Sequence, residues 1–173
     1  MDIYPEIELS REQHSEIQSL RNQSFLEDQV ARSYYKQLPH MRALKYKGNQ
    51  LVGYMGLDYR VIAVGEETYK VLGVIDFCID SAHQGKGIGS SMLSQLADYA
   101  STKDVDFIIL ISDLHSFYTQ NGYQRVDTLS SWLRLSEHRN YGVTVERVND
   151  LYVKSMSGKT WAVGHMDWLG YMY

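Results

Sequence analysis

The chain has 173 residues, 44% of them hydrophobic, with 17 basic against 21 acidic side chains for a net charge of −4. That length suits one domain over residues 1–173 with a sizeable core, and the charge offers no electrostatic case for nucleic acid or an anionic membrane. One cysteine excludes an internal disulfide and fits a cytoplasmic location. The opening M-D-I-Y-P-E-I-E-L-S has neither a basic start nor a long apolar stretch, so no signal peptide is expected. No apolar run approaches the ~20 residues of a membrane span.

In chain order, residues 3–9 read as a short strand. Ser10 then reads as a helix N-cap, with Gln13 completing a capping box and His14, Ile17, Leu20 and Arg21 following at helical spacing. A second short helix is expected over 28–37, before Pro39. Residues 40–46 and 51–64 read as strands joined by the turn Lys47-Gly48-Asn49-Gln50, and Gly65-Glu66-Glu67 turns into a third strand, giving an antiparallel meander.

The run V-L-G-V-I-D-F-C-I-D from Val71 has the length and the Val/Ile content of a buried strand. After it come Gln84, Gly85, Lys86, Gly87, Ile88, Gly89 and Ser90, and then Ile88, Met92, Leu93 and Leu96 recur at helical spacing. Glycines where a strand hands over to a helix let the backbone approach a ligand, and free amides at the helix start favour an anion. The stretch therefore reads as a phosphate-binding turn. It lacks the sixth-position glycine of a dinucleotide fingerprint, where Ser90 stands. The chain's Gly158-Lys159-Thr160 lacks the preceding glycine of a P-loop, where Val153 stands.

On the same strand Asp76 and Asp80 fall at alternate positions, opposite Ile75, Phe77 and Ile79. A bare buried carboxylate is costly, so Asp76 either faces a cleft or is paired. It is a candidate for acceptor binding or for proton removal through water, against a purely structural carboxylate. Cys78 reads as a small buried thiol rather than a nucleophile, because no histidine has partner spacing to it. The six histidines show no metal-ligand spacing, so no metal is expected.

Residues 105–111 form another apolar strand. A strand–helix–strand order with so short a crossover favours parallel pairing with the strand before the glycines. A helix over 116–121 follows, ended by Gly122. Residues 123–126 and 129–135 read as strands, 137–142 as a polar loop, and 143–154 as strand and then helix. The tail T-W-A-V-G-H-M-D-W-L-G-Y-M-Y carries too much aromatic surface to leave in water. It is expected to fold back as a final strand, with core or homodimer packing as its purpose.

Gln84-x-x-Gly87-x-Gly89 resembles the acetyl-CoA signature of the GNAT superfamily of N-acetyltransferases. Phe117-Tyr118-Thr119-Gln120-Asn121-Gly122-Tyr123 resembles that family's later motif, aromatic-Tyr-x-x-x-Gly-aromatic, at a typical distance downstream. The resemblance covers residues 8–126 well and the last third poorly. It implies an α/β (α+β) GNAT fold: a mixed, mostly antiparallel sheet with parallel central strands that splay apart, and helices on both faces. It implies that amides from Gly85 to Ser90 hold the pyrophosphate of acetyl-CoA, while the strand at Phe77, Cys78 and Ile79 pairs with the pantetheine arm. Phe117 would lie beside the coenzyme, and Tyr118 would protonate the departing thiolate, a role suited to a phenol that stays protonated at neutral pH. The early helical segments would wall the acceptor site, making Tyr34 and Tyr35 substrate contacts.

Two departures matter. The glutamate that some members use as base falls at Gly73, and a frequent asparagine falls at Ile111, leaving Ser112 or Ser116 as a substitute polar contact. Some aminoglycoside acetyltransferases of the family end in a tryptophan-rich segment near the acceptor. On that reading Asp167 and the Tyr173 carboxylate favour a small cationic amine. The alternatives are a protein or peptide acetyltransferase and a non-catalytic acyl-CoA sensor.

Overall fold

The capping box written at Ser10 and Gln13 is present: the Gln13 amide donates to the Ser10 hydroxyl at 3.2 Å, and the Ser10 amide donates to Gln13 Oε1 at 2.9 Å. It starts helix α1, Arg11–Ser24, which buries Ile17, Leu20 and Arg21. Two further helices follow, α2 (Ile88–Ser101) and α3 (His115–Gln120). The strands are β1 (Asp2–Pro5), β2 (Met41–Lys47), β3 (Gln50–Val64), β4 (Glu67–Ile79), β5 (Phe107–Ile111), β6 (Gln124–Ser136), β7 (Arg139–Ser155) and β8 (Met166–Tyr171). This computed structural model describes residues 1–173 and divides into two units, residues 1–58 with 74–96 and residues 59–73 with 97–173. No helix is long and apolar enough to cross a membrane.

In the first unit β1 runs antiparallel to β2, and β2 antiparallel to β3 about a turn in which Gly48 has φ 58°. Ile17, Leu20, Leu44, Leu51, Tyr54 and Cys78 form its core. The strand expected over 3–9 stops at Pro5, which has no amide to continue a ladder, and a 3-10 turn covers Glu6–Glu8. The helix expected over 28–37 is absent, apart from a 3-10 turn at Leu26–Asp28. Side chains have taken the backbone groups a helix would need. Asn22 donates to the Val30 carbonyl at 2.8 Å and accepts from the Val30 amide at 3.2 Å, while Arg42 donates to the Ser33 carbonyl at 2.6 Å.

In the second unit β4 pairs parallel with β5, from Val71↔Phe107 to Gly73↔Ile109. β5 is antiparallel to β7 and β7 to β6. β8 lies parallel to β6 and pairs antiparallel with the end of β3. The sheet is therefore mixed and mostly antiparallel, and the tail does return as a strand. Its core gathers Ile62, Tyr69, Phe107, Leu151, Met166 and Trp168 among others.

The stretches 123–126 and 129–135, read as strand, lie on one strand, β6, with a register shift between Val126 and Thr128. Two expectations fail beyond it. The loop at 137–142 shrinks to a turn at Glu137 and His138, and 143–154 is strand throughout. Pairing steps from Thr128↔Val148 to Val126↔Leu151, so β7 carries one extra residue there. That irregularity shifts the phase of alternation and imitates helical spacing at Val145, Val148, Leu151 and Tyr152.

Candidate functional site

The strongest candidate begins where β4 ends. Asp80 lies just past the strand, and its carboxylate accepts from the Ala82 amide at 3.1 Å and sits 2.8 Å from His83 Nδ1. It caps a 3-10 turn at Ser81–His83. This corrects the expectation that Asp80 shares a strand face with Asp76. Gln84 donates its side-chain amide to the Ile79 carbonyl at 3.0 Å, folding the signature glutamine back onto the strand end. Lys86 donates to the Ala82 carbonyl at 2.7 Å.

Gly85 and Gly87 have φ of 70° and 76°, and a Cβ on either would meet nothing within 4 Å. Their glycine identity thus answers to backbone conformation and to open space, not to neighbouring side chains. α2 then starts at Ile88 with no acidic residue in its first turn, and its first internal bond is Ser91 N to Gly87 O at 3.0 Å. The amides of Ile88, Gly89 and Ser90 precede that bond and have no partner within the helix. Together with the helix dipole they favour an anion at this turn.

Upstream on β4, Phe77 and Ile79 are half-buried. The Cys78 thiol is buried in the first unit's core, and burial pushes it up to about 12. It is a packing residue, and what β4 offers a ligand at Cys78 is main chain. Asp76 stands at φ 50° within the strand, a conformation rare for a side chain bearing a Cβ. Its Oδ2 accepts from Arg21 Nε at 2.7 Å.

Arg21 is 1% exposed; it also donates to the Asp28 carbonyl, and its guanidinium lies 5.6 Å from the Phe25 ring and 5.2 Å from the Tyr35 ring. The sequence offers Tyr35 as a contact in the wall formed by the early helical segments and Asp76, on the strand before the glycines, as a separate acceptor candidate. The structure brings both onto Arg21, which the sequence marks only by its helix spacing. The available signal was a cation on a helix face shared with Ile17 and Leu20, since a buried guanidinium needs a carboxylate. Tyr34 instead covers Arg32 at 5.5 Å. Lys36, also missed, is pushed down by burial, with Asp28 and Asp76 pulling the other way.

In the second unit α3 carries Tyr118, which is 4% exposed among the rings of Phe117, Tyr123 and Tyr152 at 5.1, 5.8 and 5.3 Å. Burial pushes its phenol up to about 12, against a hydrogen bond with Ser112. Ser112 Oγ also accepts from the Leu114 amide at 3.2 Å, so it shapes the turn into α3. His115 Nδ1 meets the Tyr152 hydroxyl, a contact without a signal in the sequence.

A Cβ on Gly73 would fall 1.8 Å from Tyr173 Oη. The family's glutamate position is therefore filled here by the end of the tail. Tyr173 meets the Trp168 ring edge-on at 5.1 Å, and Arg60 lies over the Tyr171 and Tyr173 rings at 4.3 and 5.0 Å. Asp167 accepts from the Leu169 amide at 2.9 Å, closing a local turn.

A model of the acetyltransferase (GNAT) family matches residues 6–126. No curated protein matches the sequence. Among solved structures, a GNAT acetyltransferase from Brucella melitensis in complex with acetyl-CoA has TM-score 0.59 and 15% identity, over 95% of this chain and 93% of that one. The YhbS N-acetyltransferase from Escherichia coli in complex with CoA has TM-score 0.60 and 13% identity, over 96% and 88%. A probable N-acyltransferase from Enterococcus faecalis V583 has TM-score 0.57 and 14% identity over 73% of this chain. This chain spans 32% of that protein's length.

Proposed function

Because this chain belongs to the acetyltransferase (GNAT) family, we propose that residues 1–173 act as one acetyltransferase domain, moving the acetyl group of acetyl-CoA to the primary amine of a small cationic acceptor in the cytoplasm. The observation that carries the reading is the turn from Gly85 to Ser90, with its two open positive-φ glycines and its helix-start amides without internal partners. Those amides take the pyrophosphate, and the main chain at Phe77, Cys78 and Ile79 takes the pantetheine arm.

The neutral amine attacks the thioester carbonyl, the C–S bond breaks, and Tyr118 gives its phenolic proton to the departing sulfur. With its proton held up to about 12, the phenol is in its donor form throughout the neutral range. Asp76 serves the acceptor. One carboxylate oxygen is committed to Arg21, and the group orients an ammonium or relays its proton through water. Ser112 and Phe117 flank Tyr118, while Tyr34, Tyr35, Asp167 and Tyr173 supply acceptor contacts.

The test is calorimetric titration with acetyl-CoA, followed by thiol release against a panel of amines, amino acids and peptides. Binding with turnover on a cationic amine is expected. Binding without turnover on any acceptor would make the chain an acyl-CoA sensor, and absence of binding would remove the transferase assignment.

A further inference from the structure

β2 begins at Met41, and its first pair with β3 is Met41↔Leu57. His40 comes just before Met41 and Asp58 just after Leu57, so the register carries the two toward each other at the end of the ladder. Their side chains meet, His40 Nδ1 on Asp58 Oδ1. Burial divides the pair: the Asp58 side chain is 2% exposed and that of His40 is 61% exposed. An ionised carboxylate only accepts, so Nδ1 donates to Asp58, and a neutral His40 then carries its lone pair on Nε2. A buried carboxylate holding an imidazole in one tautomer, with the ring reaching solvent, is the arrangement of a general base.

Within the first unit this pair lies close to the Asp76 centre. A Cβ on Gly56 would stand 3.1 Å from Tyr54 Oη, 3.3 Å from Pro39 and 3.4 Å from Ile75. Pro39 is the neighbour of His40, and Ile75 is the neighbour of Asp76. The charged groups beside the pair are Arg42 on β2 and Glu6 after β1, joined by a bond from Arg42 to Glu6 Oε1 at 3.0 Å. Arg42 also donates to the Tyr54 hydroxyl at 2.5 Å, and the Glu6 amide donates to the His40 carbonyl at 3.0 Å. These bonds hold the His40 main chain in place, and Asp58 orients its ring.

Resting on the acetyl-transfer reading, we propose that His40 is the base that takes the acceptor's proton and that Asp58 is its positioning residue. An ammonium oriented by Asp76 gives one proton to His40 Nε2. The neutral amine forms the C–N bond as the C–S bond breaks, and its second proton replaces the one Tyr118 gives to sulfur. His40 passes its proton to water, so each turnover releases one proton.

The experiment measures thiol release from acetyl-CoA with spermidine, tyramine, kanamycin and lysine as probe amines, from neutral to alkaline pH. His40→Asn keeps a donor near the place of Nδ1 and removes the base. It should melt as the wild type does and bind acetyl-CoA with the same affinity, while kcat/KM at neutral pH falls about 100-fold or more. The deficit should shrink as the solution approaches the amine's own pKa, because an amine already neutral needs no base. A merely structural role would leave the deficit the same at every pH. Asp58→Asn can offer a donor to Nδ1 and so turn the lone pair away from Nε2; it should show the same pH-dependent deficit. Wild-type turnover that His40→Asn leaves intact, or a deficit that does not change with pH, would overturn the assignment of His40 alone. No thiol release by the wild type with any of these amines would overturn the acetyl-transfer reading and His40's role with it.

Discussion

Tyr118 and Tyr123 sit in one aromatic cluster, yet their hydroxyls have opposite prospects. Tyr118 has Ser112 as partner, whereas the buried Tyr123 hydroxyl has no hydrogen-bond partner, although Lys154 lies over its ring at 5.4 Å. A buried polar atom left unpaired costs about 1–3 kcal/mol. Tyr123→Phe should therefore stabilise the protein, or leave it unchanged, in urea unfolding; a loss above about 1 kcal/mol would show that a partner exists. Tyr118→Phe removes a paired hydroxyl and should cost about 1 kcal/mol of stability. Its effect belongs to the reaction: kcat should fall about 100-fold or more, the usual scale for a positioned proton donor, while the affinity for acetyl-CoA stays put. A full rate at saturating substrates would remove Tyr118 from that role.

Among the elements, the turn into α2 makes the sharpest claim, and β2–β3 supplies its control. Gly87 and Gly48 both have positive φ, and a Cβ added at either would have nothing within 4 Å. Valine at either should cost about 1–2 kcal/mol of stability, because the left-handed conformation penalises any side chain bearing a Cβ. Only at Gly87 would the new side chain stand where a diphosphate approaches. Gly87→Val should weaken acetyl-CoA binding at least about tenfold, a loss of about 1.4 kcal/mol, and Gly48→Val should leave it alone. Equal affinities in the two variants would move the coenzyme elsewhere.

These turns were legible in the sequence for the same reason as the Ser10 capping box: each is written within a few neighbouring residues. What was misread depends on remote partners. Residues 28–37 read as a helix because nothing local announces that Asn22 and Arg42 will claim the carbonyls of Val30 and Ser33. Asp76 could be narrowed to a cleft or a pair, but its partner Arg21 lies 55 positions away. The meaning of glycine at 73 depends on Tyr173, at the far end of the chain.

For the molecule as a whole, tyrosine sets the response to alkali. There are 14 tyrosines in 173 residues, and burial raises the phenols of Tyr46 and Tyr54 in the first unit and of Tyr118 and Tyr123 in the second. An unfolded phenol gives up its proton near pH 10, whereas folded Tyr118 keeps it to about 12. Between those values the unfolded chain binds fewer protons than the folded one, so stability falls as pH rises. The contribution is fully present below about pH 10 and is lost on passing the folded value. A shift of that size on Tyr118 alone corresponds to at most about 3 kcal/mol across the window. Urea unfolding at stepped pH should accordingly show stability starting to fall above about pH 8.5, where the unfolded Cys78 thiol gives up the proton its folded form holds to about 12, and falling more steeply above about pH 10, with the phenolate absorbance of the four buried rings rising only with unfolding. Tyr118→Phe should shallow the decline, since one of the four linked phenol protons is gone. Tyrosine ionisation completed while the chain is still folded would mean that these rings reach solvent, and the burial at the centre of both units would have to be redrawn.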